Sequence, residues 1–156
     1  RPKLIGWFFY VYLLMGEGIS MDFTVKEYSA YNEEEILNLY QSVGWLNYVN
    51  QPEMLKNAYA NSLRIFGAYE NEKLLGIIRV VGDGHSIVFI QDIVVLPEYQ
   101  RHGIGTALLK KVLDTYAHVY QKTLLTDDTE KTILFYKSLG FQMDTEIECR
   151  AFMKMR

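Results

Sequence analysis

Val94-Val95-Leu96-Pro97-Glu98-Tyr99-Gln100-Arg101-His102-Gly103-Ile104-Gly105-Thr106-Ala107 is the stretch that decides the fold of this chain. Upstream of it, Ser86 to Leu96 is an almost continuous apolar run, as expected of a central strand buried on both faces. Downstream the period changes: Leu108, Leu109, Val112, Leu113, Tyr116, Ala117 and Tyr120 recur at helical spacing. Between strand and helix, Gly103 and Gly105 let the backbone turn sharply and approach a ligand closely. The unpaired amides of the helix's first turn point into that loop and favour an anion, most naturally phosphate, with Arg101 adding charge. The chemistry favoured is recognition of a phosphate-bearing cofactor. Two familiar nucleotide loops do not fit. No Gly-x4-Gly-Lys-Ser/Thr run is present, and a dinucleotide fingerprint needs Gly where position 108 is Leu. The strands that precede the loop also form hairpins, not a βαβ unit.

Upstream, Phe23-Thr24-Val25 predicts a first strand. Asn32 before Glu33-Glu34-Glu35 marks a helix start, with Ile36, Leu37, Leu39 and Tyr40 as its apolar face. A second helix follows Pro52, from Glu53 to Asn61. Strands at Leu63–Tyr69 and Leu74–Val81 flank the hairpin signal Glu70-Asn71-Glu72-Lys73, and Gly82-Asp83-Gly84 makes the next turn. After the long helix come a strand at Thr123–Thr126, a helix from Thr132 to Leu139 closed by Gly140, and final strands at Phe141–Asp144 and Glu148–Met155. The order βααβββαβαββ predicts an α+β fold with a mixed sheet, antiparallel first and then joined by a helical crossover.

Composition narrows the function classes. The 156 residues are enough for one ordinary domain, and 49% hydrophobic with 22% charged is a globular balance. A net charge of −3 without a basic block argues against nucleic acid as a partner. The single cysteine, Cys149, excludes an internal disulfide framework and fits a reducing, cytoplasmic setting. His85, His102 and His118 stand apart with no HExxH pattern, so no metal site is expected. Cys149, on a terminal strand without a His-Asp partner pattern, reads as a core residue.

The aromatic share of 14% is partly concentrated in a leader, Arg1-Pro2-Lys3 followed by an apolar run from Leu4 to Met15. That run is too short to span a bilayer comfortably, and no membrane partner is expected. A signal peptide or a native N-terminal strand or helix are alternative readings. The favoured expectation is that Met21 is the natural start: Gly16-Glu17-Gly18 is encoded by GGN-GAR-GGN, which resembles a purine-rich ribosome-binding site. Residues 1–20 are then a non-native or disordered leader, and residues 21–156 a single domain.

Gln100-Arg101-His102-Gly103-Ile104-Gly105 resembles the Gln/Arg-x-x-Gly-x-Gly/Ala loop of the GCN5-related N-acetyltransferases, the GNAT family. The lead-in Asp92-Ile93-Val94-Val95-Leu96-Pro97-Glu98 and the downstream Ile133-Leu134-Phe135-Tyr136-Lys137-Ser138-Leu139-Gly140-Phe141 are similar to the same family. The resemblance implies the acyl-CoA N-acyltransferase fold, three layers with a centrally splayed mixed sheet flanked by helices. It implies acetyl-CoA as cosubstrate and direct transfer, in a ternary complex, to the primary amine of a small molecule. Alternatives are N-terminal or lysine acetylation of proteins and a non-catalytic CoA-binding sensor module. A homodimer is also compatible with the family.

By that resemblance, Ile93, Val94 and Val95 would contact the pantetheine arm, mostly through backbone groups. Gln100, Arg101, His102, Gly103, Ile104, Gly105 and Thr106 would form the pyrophosphate loop. Tyr136 matches the family's tyrosine near the cofactor sulfur and would protonate the departing thiolate. The family's usual Asn at the start of this helix is absent, with Thr129 as its substitute. Several relatives carry Glu where this chain has Gln91, which is no base. Asp92 beside it is a candidate base or a structural carboxylate, and strand alternation points it to the opposite face from Gln91. Trp45 and Tyr48 are candidates to line an amine pocket, against the ordinary alternative of core packing. The region around Trp45 is similar to plant-type arylalkylamine acetyltransferases.

Overall fold

A computed structural model describes residues 21–155, so the expectation for the leader, residues 1–20, lies outside them. The elements run β1 (Thr24–Glu27), α1 (Glu33–Ser42), a one-turn α2 (Leu46–Val49) and α3 (Pro52–Ala60). Then come β2 (Arg64–Glu70), β3 (Lys73–Gly82), β4 (Ile87–Val95), a 3-10 turn (Pro97–Tyr99) and α4 (Ile104–Thr115). β5 (Gln121–Leu124), α5 (Glu130–Ser138) and a second 3-10 turn (Asp144–Ile147) follow. The five strands form one sheet in sequential order. β1 to β4 pair antiparallel and β5 joins β4 parallel, a step that requires the α4 crossover. This is the mixed α+β sheet that the sequence predicts.

Helices cover both faces. On one, Leu75, Ile78, Val88 and Ile90 of the sheet meet Ile104, Leu108, Leu109 and Val112 of α4. On the other, Ile77 and Val94 meet Ile36, Leu39 and Tyr40 of α1 with Leu55 and Tyr59 of α3. Asn32 starts α1, its Oδ1 accepting the Glu35 N–H at 3.1 Å, with three glutamates in the first turn favoured by the helix dipole.

β4 changes faces along its length. Val88 and Ile90 point toward α4, yet Asp92 and Val94, the next even-numbered positions, lie on the α1 side. The cause is a β-bulge: Val80 pairs with Ile90 and Arg79 with Asp92, leaving Gln91 as the extra residue. The expectation that alternation separates Asp92 from Gln91 therefore fails. Gln91 donates to the Tyr48 hydroxyl at 3.2 Å, and Asp92 acts electrostatically on that same hydroxyl.

Other expectations are corrected. The long helix ends at Thr115, five residues before Tyr120, which is 92% exposed, although Tyr116 and Val119 still pack into the core. His118 follows the helix, a ring nitrogen 3.0 Å from the Gly84 carbonyl oxygen. The last two predicted strands do not form among the described residues. Asp144–Ile147 coils into a 3-10 turn whose Glu146 accepts the Met143 N–H at 2.8 Å and pairs with Lys137. Glu148 then takes φ +56°, which an extended run does not allow. Cys149, expected in the core, is exposed because that segment leaves the sheet.

Candidate active site

The β4–β5 ladder stops at the pair Ile90–Leu124, while β4 continues to Val95. Beyond the bulge β4 is therefore paired on one side only, and a cleft opens toward the end of β5. Which backbone groups face that cleft follows from the β3–β4 register. Leu96 donates to Leu75 at 2.9 Å, so the antiparallel alternation commits Val94 and Asp92 to β3 and turns Ile93 and Val95 outward. Of the three residues assigned by resemblance to the pantetheine arm, Ile93 and Val95 present N–H and C=O groups to the cleft. Val94 does not, and its side chain is buried on the α1 side.

The loop after β4 is tied to that strand. Gln100 turns back so that its Nε2 donates to the Val95 carbonyl at 3.1 Å. Arg101 adopts φ +64° and Gly103 φ +82°, two left-handed residues that fold the chain tightly into α4. No side chain caps α4, in contrast to α1 and α5, so its first-turn amides stay open. A Cβ added to Gly103 would meet nothing within 4 Å. One on Gly105 would sit between Phe135, at 3.7 Å, and Ile93, at 4.0 Å, so the missing side chain keeps the space between α4, α5 and β4 clear. The side chains of Arg101 and His102 are exposed, Thr106 is half-buried, and Ile104 is buried in the core and offers only its amide. The donor set fits a diphosphate at the loop and an amide-bearing arm along the cleft.

Tyr136 stands across the cleft on α5, its ring packed edge-on against Phe135 and Phe141 with centroids 5.0 and 5.9 Å away. Burial pushes its hydroxyl above the ordinary tyrosine range; Thr126, just past β5, opposes this through a hydrogen bond, and Asp127 adds to it. The phenol is therefore protonated at neutral pH. Thr129 instead caps α5, its Oγ1 accepting the Thr132 N–H at 3.3 Å and lying 2.8 Å from the Thr132 hydroxyl. That local duty accounts for the hydroxyl assigned to a cofactor contact.

Asp92 sits on the α1 side, only 2% exposed, opposite Arg79 at 4%. Arg79 Nε donates to Asp92 Oδ2 at 2.6 Å, and the Tyr40 hydroxyl donates to the same oxygen at 2.7 Å. The Tyr59 hydroxyl donates to that of Tyr40 at 3.2 Å, and Arg79 reaches Ser62 Oγ at 3.3 Å. Burial, then Tyr59 and Asp92, drives the Tyr40 pKa far up, so Tyr40 acts only as a neutral donor. Beside this network, half-buried Trp45 and Tyr48 lie 6.1 Å apart and both pack edge-on to Tyr40. The sequence reading missed Arg79, Tyr40 and Tyr59. Its one available signal was Arg79 itself, a lone charge inside the apolar run Leu74–Val81. Among the described residues, no group of three or more His, Cys, Asp or Glu side chains is placed to hold a metal ion.

A mixed sheet that splays at its centre beside an uncapped helix start defines a class of acyl-transferring domains. The acetyltransferase (GNAT) family model matches residues 26–141, and the chain belongs to that family. It is 41% identical to a GNAT-family acetyltransferase from Streptococcus pneumoniae TIGR4, with TM-score 0.78 over 86% of this chain and 98% of that one. The PaiA N-acetyltransferase of Thermoplasma acidophilum, solved with coenzyme A, shares the fold at 18% identity, TM-score 0.66, over 78% and 91% of the two chains. The N-acetyltransferase ycf52 of Pyropia yezoensis is 29% identical over 74% of this chain and 67% of its own length. Histone acetyltransferase TAP1 of Glycine max is 34% identical over 49% of this chain, which spans only 33% of that relative. The protein is thus an N-acetyltransferase of the GNAT family.

Proposed function

We propose that the protein transfers an acetyl group from acetyl-CoA to the primary amine of a small molecule, by direct reaction in a ternary complex. The observation that carries this reading is the half of β4 left unpaired beside the uncapped start of α4. Acetyl-CoA bound there supplies a thioester carbonyl to the amine and a thiolate as leaving group. The amides of residues 104–106 and the Arg101 guanidinium receive phosphate oxygens, and Gly103 and Gly105 admit them closely. The Ile93 and Val95 backbone groups hold the arm along the strand and orient the carbonyl. Tyr136, neutral and partly desolvated, delivers its proton to the departing sulfur, while the attacking nitrogen loses its proton to water and solvent restores the phenol.

Asp92 is assigned to positioning. Its Oδ2 is held by Arg79 and Tyr40, which suits a carboxylate that pins the bulge better than one that collects a proton from the amine. The aromatic wall of Trp45 and Tyr48, with Gln91 hydrogen-bonded to it, supports an acceptor with an aromatic or extended apolar body. An exposed free thiol at Cys149 suits a reducing, cytoplasmic setting.

A second reading, acetylation of protein amines, is favoured by the name of the Glycine max relative. Calorimetric titration with acetyl-CoA, followed by thiol-release assays with a panel of arylalkylamines, diamines and lysine or N-terminal peptides, separates the readings. Binding with release on small amines is expected. Release only on peptides would move the assignment to protein acetylation, and binding without release on any amine would make the domain a CoA sensor.

A further inference from the structure

We propose that the Gln91 side chain holds the acceptor amine in its neutral form, its Oε1 accepting an N–H, and that the acceptor is therefore a weakly basic primary amine. This rests on the acetyl-transfer reading above. Gln91 is the first residue of β4 beyond its last pair with β5, Ile90–Leu124, and the bulge leaves it paired to neither Val80 nor Arg79 of β3. It is exposed where the cleft begins, and its side chain lies against the wall of Trp45 and Tyr48. The orientation of its amide follows from Tyr48. Burial, then the charge of Asp92, holds that phenol above the ordinary tyrosine range, so it keeps its proton, and the carboxylate draws that proton toward itself. The hydroxyl oxygen is left to accept, and Gln91 Nε2 donates to it at 3.2 Å. The amide's other end, Oε1, has no donor among the described residues and is open to a ligand.

An amide oxygen accepts an N–H and takes no proton. Behind the wall, Tyr40 of α1 and Tyr59 of α3 are neutral donors, and Asp92 Oδ2 is shared by Tyr40 and Arg79 of β3. Across the cleft, Asp127 acts on the Tyr136 phenol. An ammonium set against this wall loses water and gains no free counter-charge, which disfavours it against the neutral amine. With one N–H on Oε1, the nitrogen lone pair is free to turn toward the thioester carbonyl. The N–C bond then forms as the C–S bond breaks. The nitrogen's surplus proton leaves to water, the sulfur takes that of Tyr136, and Gln91 changes no bond. An α-amino group titrates near about 7.7–8.0 and an alkylammonium near about 10.4, so at neutral pH the first supplies far more neutral amine. An α-amino group beside a carbonyl, or an aryl amine, is thus favoured over an alkylamine.

Calorimetry on the full chain saturated with CoA, in buffers of different ionisation enthalpy, counts the protons released when an amine binds. Entry of the neutral form should release about one proton per 2-phenylethylamine at about pH 7. Gln91→Glu supplies a counter-charge and should bind the same amine without release. In thiol-release assays with acetyl-CoA at about pH 7, kcat/KM should favour phenylalaninamide over 2-phenylethylamine at least about tenfold. Gln91→Met keeps the length and loses the acceptor, so KM for either amine should rise about tenfold, as for one lost hydrogen bond, with the Kd of acetyl-CoA unchanged. Tyr48→Phe frees the amide to turn and should raise that KM less. Binding of 2-phenylethylamine without proton release, or of neither amine, would overturn the proposal. So would release undiminished in Gln91→Glu, a preference for 2-phenylethylamine, or an unchanged KM in Gln91→Met. Proton-releasing binding with no thiol from either amine would instead sink the transferase reading and leave the Gln91 site standing.

Discussion

The two halves of β4 share one strand and differ in their surroundings by a single inserted residue. Residues 88–90 are paired on both sides, to β3 and to β5. Residues 92–95 are paired to β3 alone, and the groups that would have met β5 face a cleft. In the first half the alternating side chains meet α4 through Val88 and Ile90; in the second the even positions meet α1 and the odd ones α4. Gln91 at the bulge makes the switch, and the Asp92–Arg79 pair directly beyond it fixes the new register across the ladder. The lesson is that a strand becomes a binding surface by losing a neighbour, and that the loss must be held open from the opposite face.

The comparison is attacked most strongly at the pair itself. Asp92→Ala leaves a buried guanidinium without its partner and should cost about 3–5 kcal/mol in urea unfolding, whereas replacing Arg79 and Asp92 together by apolar residues should recover much of that. Equal stability of Asp92→Ala and the parent would show that the second half of β4 needs no such anchor. Tyr136→Phe tests what stands across the open half. Its kcat should fall by about 10²-fold or more, as for loss of a general acid. Burial raises the Tyr136 pKa, and the acid works in its protonated form, so the parent should hold its rate across neutral pH and lose it only beyond the ordinary tyrosine range. A phenylalanine variant with unchanged kcat at every pH would remove that role.

Gly103→Ala is a smaller perturbation. The left-handed φ of +82° should cost about 1–2 kcal/mol once a Cβ is present. In binding terms that is up to about thirtyfold in the KM for acetyl-CoA, with kcat less affected. The smallest effect is expected for Thr129→Ala, a lost cap worth about 1 kcal/mol in thermal unfolding with the KM for acetyl-CoA unchanged. A raised KM there would return Thr129 to the cofactor site.

The glycine loop, the central strand and the order of the first nine expected elements were legible because each rests on a local signal: a turn residue, a cap or a period. Gly103 and Tyr136 sit in motifs readable without knowing their neighbours. The bulge was not legible, since Gln91 is ordinary in any strand and becomes an insertion only when β3 is counted against β4. Arg79 and Tyr40 were missed for a related reason: their duty is defined by Asp92, 13 and 52 positions away in the chain. At the far end, residues 148–155 read as a strand, yet a strand exists only with a partner, and none pairs with it among the described residues.

The hydrogen bond from Gln100 to the Val95 carbonyl also gives the cleft a polarity. It engages one of the acceptors on the open half of β4 and leaves the donor of Val95 wholly open beside both groups of Ile93. A molecule lying along the strand therefore meets a donor near the mouth before it meets a free acceptor farther in. Amide-bearing chains distinguish their two directions by such an order.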